Sequence, residues 1–209
     1  MGNLHIVDHP ILKHKLSVIR KKDTSSFFFR KILSEISSML AYEATKDLQL
    51  GDVNIETPME KCEAPMVSEE IIVASILRAG QGMLEGFLDV VPFARVAHIG
   101  IYRDKALHNT IEYYFRLPDA CEGKKLFLLD PLLATGDTAL AALDRLKEYR
   151  VGPISFVSVL AAPVGIEKIR EAHPDVDIYT LCVERELNDK GYLLPGLGDA
   201  GDRLYHTND

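Results

Sequence analysis

An apolar strand, an acid and a small-residue loop follow one another at residues 126–139. The apolar run ends at Asp130, and the small residues 134–138 precede a helical pattern. This carboxylate can accept hydrogen bonds from ribose hydroxyls, while backbone N–H groups and threonine hydroxyls can bind a phosphate at a helix N-terminus. The GxxxxGK[ST] pattern of triphosphate-binding loops is absent. The segment predicts a site for a sugar phosphate, with a plain βα turn capped by Thr135 or Thr138 as the alternative.

A second candidate is the segment 76–83, in which Arg78 is followed by Gly80 and Gly82. A guanidinium beside backbone amides that approach a ligand closely suits a pyrophosphate. A glycine-rich turn without a ligand is the alternative, and this segment alone does not decide between them. Arg103 follows a later strand pattern, where a solvated surface arginine is the alternative.

Strand and helix patterns alternate around these segments. Ser25 or Ser26 can cap a helix with apolar positions at helical spacing. Predicted strands are 71–77, 95–102, 111–115, 126–129, 154–160 and 178–183, and predicted helices are 83–90, 139–149 and 165–172. This alternation indicates an α/β fold with a mostly parallel sheet flanked by helices.

The positions of the charged residues follow from that fold. Arg78, Arg103 and Asp130 each come just after a predicted strand, so we expect them to converge beyond the carboxyl edge of the sheet. Two strands flank the polar residues 104–109 and predict a protruding antiparallel β-arm.

Composition limits the class of protein. The chain has 209 residues, which predicts a single domain over 1–209. Its net charge of −7 disfavours a general nucleic-acid-binding role. Three widely separated cysteines favour reduced thiols over a disulfide framework or a zinc site, and we expect no protein-bound metal. A signal peptide and a run of about 20 apolar residues are both lacking, so we expect a cytoplasmic protein without a membrane segment.

Four segments together resemble the type I phosphoribosyltransferases, and their amino-acid sequences are similar to those of the uracil branch. They are 130–136, 76–83, 100–104 with 112–115, and 191–204. They occur in the family's order, and the N-terminal helical part is also similar, so the resemblance covers essentially the whole chain. It implies a type I phosphoribosyltransferase-like fold with the β-arm and a C-terminal base-binding loop.

The resemblance also implies roles for single residues. The residues implied to bind phosphoribosyl pyrophosphate are Arg78, Arg103, Asp130, Pro131, Leu132, Leu133, Ala134, Thr135, Gly136, Asp137, Thr138 and Asp199. Of these, Arg78, Arg103, Asp130 and Asp199 are implied to be catalytic. Pro131 replaces a second acid found in the wider superfamily, so Mg²⁺ should arrive mainly on the pyrophosphate substrate.

We have separate expectations for the Asp137 side chain and for one peptide bond. The family usually has Gly where this chain has Asp137, and we expect its side chain to point away from the phosphate and cap the following helix. The resemblance also implies a strained or cis peptide between Arg78 and Ala79.

Residues 193–202 contain too many glycines for a regular element and supply shaped backbone instead. By resemblance, Leu193, Gly198, Asp199 and Ala200 bind uracil. Backbone N–H and C=O groups can pair with the acceptor, donor, acceptor edge of uracil and leave an exocyclic amine unmatched. A flexible surface loop is the alternative.

The implied activity is transfer of a phosphoribosyl group from phosphoribosyl pyrophosphate to uracil in pyrimidine salvage. Transfer to another base and an RNA-binding uracil or nucleotide sensor remain as rival hypotheses. The resemblance alone adds GTP as an allosteric activator and a homo-oligomer, dimer or higher.

Overall fold

The computed structural model describes residues 2–104 and 109–207. Within these ranges the helices are α1 (Pro10–Arg20), α2 (Ser26–Ala44), α3 (Gln81–Val90), α4 (Asp137–Glu148), α5 (Pro163–Ala172) and α6 (Ala200–Tyr205). The strands are β1 (Leu4–Ile6), β2 (Leu50–Glu56), β3 (Lys61–Val67), β4 (Ile71–Leu77), β5 (Arg95–Asp104), β6 (Asn109–Arg116), β7 (Lys125–Leu129), β8 (Leu132–Leu133), β9 (Ile154–Ala161), β10 (Asp177–Val183), β11 (Glu186–Leu187) and β12 (Leu193–Leu194).

The central sheet has the strand order β1-β10-β9-β7-β4-β5-β6, with β8 paired to β9. The pairs from β1 to β5 in this order are parallel, and β6 runs antiparallel to β5. β4 and β7 lie in the middle because their continuous apolar runs can be buried on both faces. The predicted α/β fold with a mostly parallel sheet is therefore confirmed.

Helices cover both faces of this sheet. Alternate residues of β4 point to opposite sides, so Ile71 and Val73 pack with α1, α2 and α3, while Ile72 and Ala74 pack with α4 and α5. The predicted helix after Ser25 is α2, and the Ser25 side chain accepts a hydrogen bond from the Phe28 N–H group at 3.4 Å. Each layer thus buries one face of a continuous sheet.

The predicted β-arm begins in the pairing of β5 with β6, which extends as far as Asp104 and Asn109. The tip of the predicted arm lies outside the described residues. A second hairpin, β2 with β3, was not predicted, because Pro65 and a run of exposed residues hide the strand pattern. The β5–β6 pair belongs to the central sheet, whereas β2 and β3 form a separate two-stranded sheet.

Candidate active site

The phosphate loop, residues 130–138, is held against β9 by its backbone. The Pro131 carbonyl accepts a hydrogen bond from the Val159 N–H group at 3.0 Å, and the Leu133 carbonyl accepts one from the Ala162 N–H group at 2.7 Å. Pro131 has no backbone N–H group, so it holds the loop through its carbonyl and cannot donate a hydrogen bond to a ligand. The loop therefore has a fixed path from β7 into α4.

This path encloses a small cavity at the start of α4. Its volume is about 80 Å³, and it is lined by Asp130, Leu132, Leu133, Ala134, Thr135, Gly136, Asp137, Thr138 and Ala139. Gly136 is the N-cap residue with a φ of 83°, a left-handed conformation that glycine adopts without strain. The first N–H groups of a helix lack acceptors within it, so the cavity suits a phosphate.

Asp137 is the first residue of α4, and the prediction that it caps the helix is wrong because Gly136 occupies the N-cap position. One carboxylate oxygen of Asp137 accepts a hydrogen bond from Thr135 Oγ1 at 2.9 Å. The other forms an ion pair with Nζ of Lys168 on α5. Its negative charge is favourable beside the positive end of a helix.

The Arg78 loop lies at the end of β4. The peptide between Leu77 and Arg78 is cis, so the expected cis peptide is one residue earlier than predicted. A Cβ atom at Gly80 would lie 2.4 Å from the Leu129 carbonyl oxygen, so this loop packs directly on the strand that ends at Asp130. The glycine is required here by that close approach.

The Arg78 side chain points to α6. Its Nη2 atom lies 3.3 Å from Oδ1 of Asp202, and its Nη1 donates to Oγ1 of Thr207 at 3.2 Å. The Tyr205 hydroxyl donates to the Arg78 carbonyl at 3.1 Å. Arg78 therefore joins the loop after β4 to the C-terminal segment.

The base loop, residues 193–202, begins with β12 and ends in α6. Leu193 and Ala200 are buried, and Gly198 has a φ of 81°. Asp199 is the N-cap of α6 and accepts a hydrogen bond from the Asp202 N–H group at 3.0 Å. A cavity of about 910 Å³ borders this loop and is also lined by residues 22–26.

Two arginines that the sequence did not single out as site residues hold the base loop. Arg20 of α1 donates to the Gly196 carbonyl at 2.7 Å, and it pairs with the buried Glu184 at 2.5 Å. Arg203 donates to the Leu197 carbonyl at 3.0 Å and to the Lys21 carbonyl at 2.7 Å. Arg203 lies within one of the four segments, whereas Arg20 carries no sequence signal.

Close approaches bring the three loops together. A Cβ atom at Gly191 would lie 3.8 Å from Cγ2 of Thr135, which places the residues just before the base loop beside the phosphate loop. A Cβ atom at Gly201 would lie 3.3 Å from Oδ1 of Asp199 and 3.5 Å from Nη2 of Arg78. Of the three residues expected to converge, Arg78 and Asp130 belong to loops in close contact, and Asp199 lies near both. These contacts do not place Arg103.

The electrostatics of the site centre on Asp130. The pKa of this carboxyl is raised to about 7, mainly by burial; the Leu132 N–H group lowers it somewhat, and the nearby negative charge of Asp199 adds to the rise. At neutral pH the carboxyl is therefore poised between its protonated and ionised forms. A carboxylate desolvated in this way is a strong acceptor for hydroxyl groups.

Arg103 is the predicted site residue that cannot be placed in full. Its backbone pairs with Thr110 in the β5–β6 ladder, and its side chain lies outside the described part of the structure. Within residues 2–104 and 109–207 there is no cluster of three His, Cys, Asp or Glu side chains that could hold a metal ion. The same ranges contain no helix long and apolar enough to cross a membrane.

A family model described as uracil phosphoribosyltransferase matches residues 6–207. The chain belongs to the uracil phosphoribosyltransferase family. Uracil phosphoribosyltransferase of Agrobacterium fabrum is 50% identical over 208 residues, which cover 99% of this chain and 100% of that protein. The corresponding protein of Brucella anthropi is 51% identical over 203 residues, which cover 97% and 98%. Membership in the uracil phosphoribosyltransferase family confirms the predicted family and enzyme class.

Solved structures agree with this assignment. The AQ2163 protein from Aquifex aeolicus superposes with a TM-score of 0.94 at 41% identity, covering 98% of this chain and 99% of that one. Adenine phosphoribosyltransferase from Leishmania donovani has a TM-score of 0.57 at 14% identity, covering 100% and 98%. The second likeness concerns the fold alone. It confirms that the uracil phosphoribosyltransferase family member has the type I phosphoribosyltransferase fold.

Proposed function

We propose that the chain transfers the 5-phosphoribosyl group of phosphoribosyl pyrophosphate to uracil, giving uridine monophosphate and pyrophosphate. The observation that carries this proposal is the meeting of the phosphate loop, Arg78 and the base loop at one edge of the sheet. Each loop suits a different part of the two substrates. Family membership supports the same reaction.

The phosphate loop would bind the sugar phosphate. The 5′-phosphate would occupy the cavity of about 80 Å³ against the first turn of α4, with Thr135 and Thr138 as hydroxyl partners. Asp130 also lines this cavity, and its carboxylate would accept hydrogen bonds from the ribose hydroxyls. This arrangement would fix the ribose between two anchors.

Arg78 and Arg103 would bind the pyrophosphate. Their guanidinium groups would balance the negative charge that grows on the leaving group, which is often the largest catalytic contribution in a transfer of this kind. The Arg78 side chain is 54% exposed, so a ligand can reach it. Mg²⁺ would enter as part of the pyrophosphate substrate, since Pro131 offers no second carboxylate beside Asp130.

The reaction is a substitution at C1 of the ribose. The bond from C1 to the pyrophosphate oxygen breaks, and its electron pair goes to pyrophosphate. N1 of uracil forms the new bond and releases its proton to water. Positive charge on the ribose in the transition state would be stabilised by the carboxylates of Asp130 and Asp199. The protein mainly positions the two substrates, so a covalent nucleophile is not required.

Base choice would rest on the backbone of residues 198–200. The positive φ of Gly198 and the burial of Ala200 support a rigid peptide edge that can pair with O2, N3–H and O4 of uracil. Cytosine presents an amine where uracil has O4 and lacks the N3 proton. Two mismatched buried contacts would each cost about 1–3 kcal/mol.

An assay of nucleoside monophosphate formation tests the proposal. The enzyme is mixed with phosphoribosyl pyrophosphate, Mg²⁺ and one base at a time, and kcat/KM is measured for uracil, cytosine, 5-fluorouracil and hypoxanthine. We expect uracil and 5-fluorouracil to be used and cytosine to be rejected by more than about a hundredfold. A kcat/KM for cytosine within tenfold of the value for uracil would refute base recognition by this backbone. A higher kcat/KM for hypoxanthine than for uracil would show that hypoxanthine is the acceptor.

Self-association is a separate part of the proposal. The β2–β3 hairpin exposes Leu50, Met59 and Met66, with 63%, 91% and 56% of their surfaces accessible, which supports contact with a second copy. Sedimentation across a range of concentrations would test it. GTP activation rests on the resemblance alone, and activity measured with and without GTP at each concentration would test whether assembly and activation are linked.

The remaining expectations concern location and partners. We keep a cytoplasmic location and the absence of nucleic-acid partners as predictions. The net charge of −7 supports the second. An RNA-shift assay at several salt concentrations would test the rival RNA-binding sensor, because binding through phosphate contacts weakens steeply with salt.

A further inference from the structure

Lys168 stands on α5, outside the four segments that carry the family resemblance, yet it contacts the phosphate loop. Its Nζ forms an ion pair with Asp137, and the two side chains are 37% and 24% exposed. Asp137 in turn accepts the hydrogen bond from Thr135 Oγ1 at 2.9 Å. A side-chain chain of three residues therefore runs from α5 to a hydroxyl of the phosphate loop.

The position of Lys168 is set by close packing. A Cβ atom at Gly165 would lie 2.5 Å from the Ala134 carbonyl oxygen, so α5 lies directly against the phosphate loop. A Cβ atom at Gly136 would lie 3.3 Å from Cδ of Lys168. Gly165 and Lys168 are three residues apart and share a helix face. The lysine stem thus forms part of the wall behind the loop.

Asp137 poses an electrostatic problem for phosphate binding. Its carboxylate competes with a phosphate for the positive end of α4. It also accepts the proton of Thr135, and a hydroxyl has a single proton to donate. An uncompensated Asp137 would therefore repel the ligand and hold the hydroxyl donor that the ligand needs.

We propose that Lys168 is a positioning residue for the 5′-phosphate, acting through Asp137. The positive charge of Lys168 cancels the negative charge of Asp137, so the pair is neutral beside the phosphate. Neutralisation also weakens Asp137 as an acceptor and allows the Thr135 hydroxyl to turn to the ligand. This inference rests on the proposed binding of phosphoribosyl pyrophosphate by the same loop.

The test compares Lys168→Met, Lys168→Arg, Asp137→Gly and the double variant Asp137→Gly/Lys168→Met. Lys147→Met is the matched control, because Lys147 is an ion-paired lysine of α4 that contacts Asp175 at 2.5 Å, away from the loop. For each variant we measure kcat, the KM of both substrates and the thermal midpoint at low and high salt. Binding of ribose 5-phosphate, which lacks the pyrophosphate, isolates the phosphate step from turnover.

We expect Lys168→Met to raise the KM for phosphoribosyl pyrophosphate and the Kd for ribose 5-phosphate by about three- to tenfold. The uracil KM and kcat should stay within twofold of the unmodified enzyme, and Lys168→Arg should bind normally. The increase should shrink at high salt, because screening weakens the repulsion left by Asp137. In the Asp137→Gly background the loss of Lys168 should have no effect on binding.

Other outcomes overturn the inference. An equal effect of Lys168→Met with and without Asp137 would show that the lysine contacts the phosphate directly. Parallel changes in the thermal midpoint and in both KM values would show a purely structural role. Normal binding by Lys168→Met in an enzyme that makes uridine monophosphate would remove this inference alone. An unmodified enzyme that fails to convert uracil would instead remove the proposed function.

Discussion

Replacement of Asp130 by asparagine tests how burial of this carboxyl affects stability. The pKa of the group rises from 3.8 to about 7 in the folded chain, first because of burial. The folded state therefore binds the proton more tightly than the unfolded state does. Between pH 3.8 and about 7 the unfolding free energy must fall as pH rises, and the full penalty is present above pH 7.

The size of the effect follows from the two pKa values. One pKa unit corresponds to about 1.4 kcal/mol, so the rise from 3.8 to about 7 gives an upper bound of about 4 kcal/mol. Asp130 keeps some contact with solvent, which reduces the expected penalty to about 2–4 kcal/mol. Asparagine has no charge at any pH in this range. It also retains an oxygen for the Leu132 N–H group, which lies 3.5 Å from Oδ1 of Asp130.

The assay is urea unfolding of the ligand-free protein at pH 4.5, 6 and 8, at one fixed protein concentration. Asp130→Asn should exceed the stability of the unmodified protein by about 1 kcal/mol or less at pH 4.5 and by about 2–4 kcal/mol at pH 8. Asp119→Asn is the control, because it removes an exposed carboxylate and should leave the pH profile unchanged. The more stable Asp130→Asn should also lose most of its activity, since the amide cannot replace the charge near the ribose.

Two results would refute this reasoning. Parallel pH profiles for Asp130→Asn and the unmodified protein would mean that Asp130 is ionised at little cost in the folded state. Lower stability of Asp130→Asn at pH 8 would mean that the carboxylate makes favourable contacts that outweigh its burial.

Three further variants test the loops. Arg103→Ala should lower kcat by about tenfold or more with a smaller change in the uracil KM, because its charge should act on the departing pyrophosphate; an unchanged kcat in steady-state kinetics would contradict that role. Gly165→Ala should raise the KM for phosphoribosyl pyrophosphate by about tenfold or more, because its Cβ would meet the Ala134 carbonyl and displace the phosphate loop; a rise confined to the uracil KM would speak against it. Arg203→Met should lower the unfolding free energy by about 2–3 kcal/mol and raise the uracil KM, since it strands the Leu197 and Lys21 carbonyls; calorimetry and kinetics would measure both.

The sequence predicted the parts of the fold in which local pattern and burial agree. The run 71–77 matches β4 at both ends, because charged residues, Glu70 and Arg78, flank a strand that is buried on both faces. The phosphate loop could also be predicted from the sequence, since an apolar strand followed by an acid and small residues is typical of few other sites. The β2–β3 hairpin was missed because most of its residues are exposed, so alternation is weak.

Contacts between distant segments were the least predictable part of the site. Arg20 and Lys168 each look like a surface cation on an amphipathic helix, and only the tertiary structure places them against Gly196 and Asp137. The capping role expected for Asp137 is wrong because Gly136 holds the N-cap position, and the ion pair of Asp137 with Lys168 has no signal in the local sequence. The local sequence predicts the secondary structure of a segment, whereas the roles of these side chains depend on residues that are distant in the sequence.

The arginine contacts between the N-terminal helices and the base loop also set an order of events during protein synthesis. Arg20 and Gly196 are 176 residues apart in the chain, and Arg203 reaches back a similar distance to Lys21. At about 5–20 residues per second, a ribosome needs roughly 9–35 s to make the intervening chain. During that time Arg20 and Lys21 lack their contacts with the base loop and α6, while the phosphate loop already has its neighbouring strands. The nascent enzyme should acquire its sugar-phosphate site first and its ability to choose a base last.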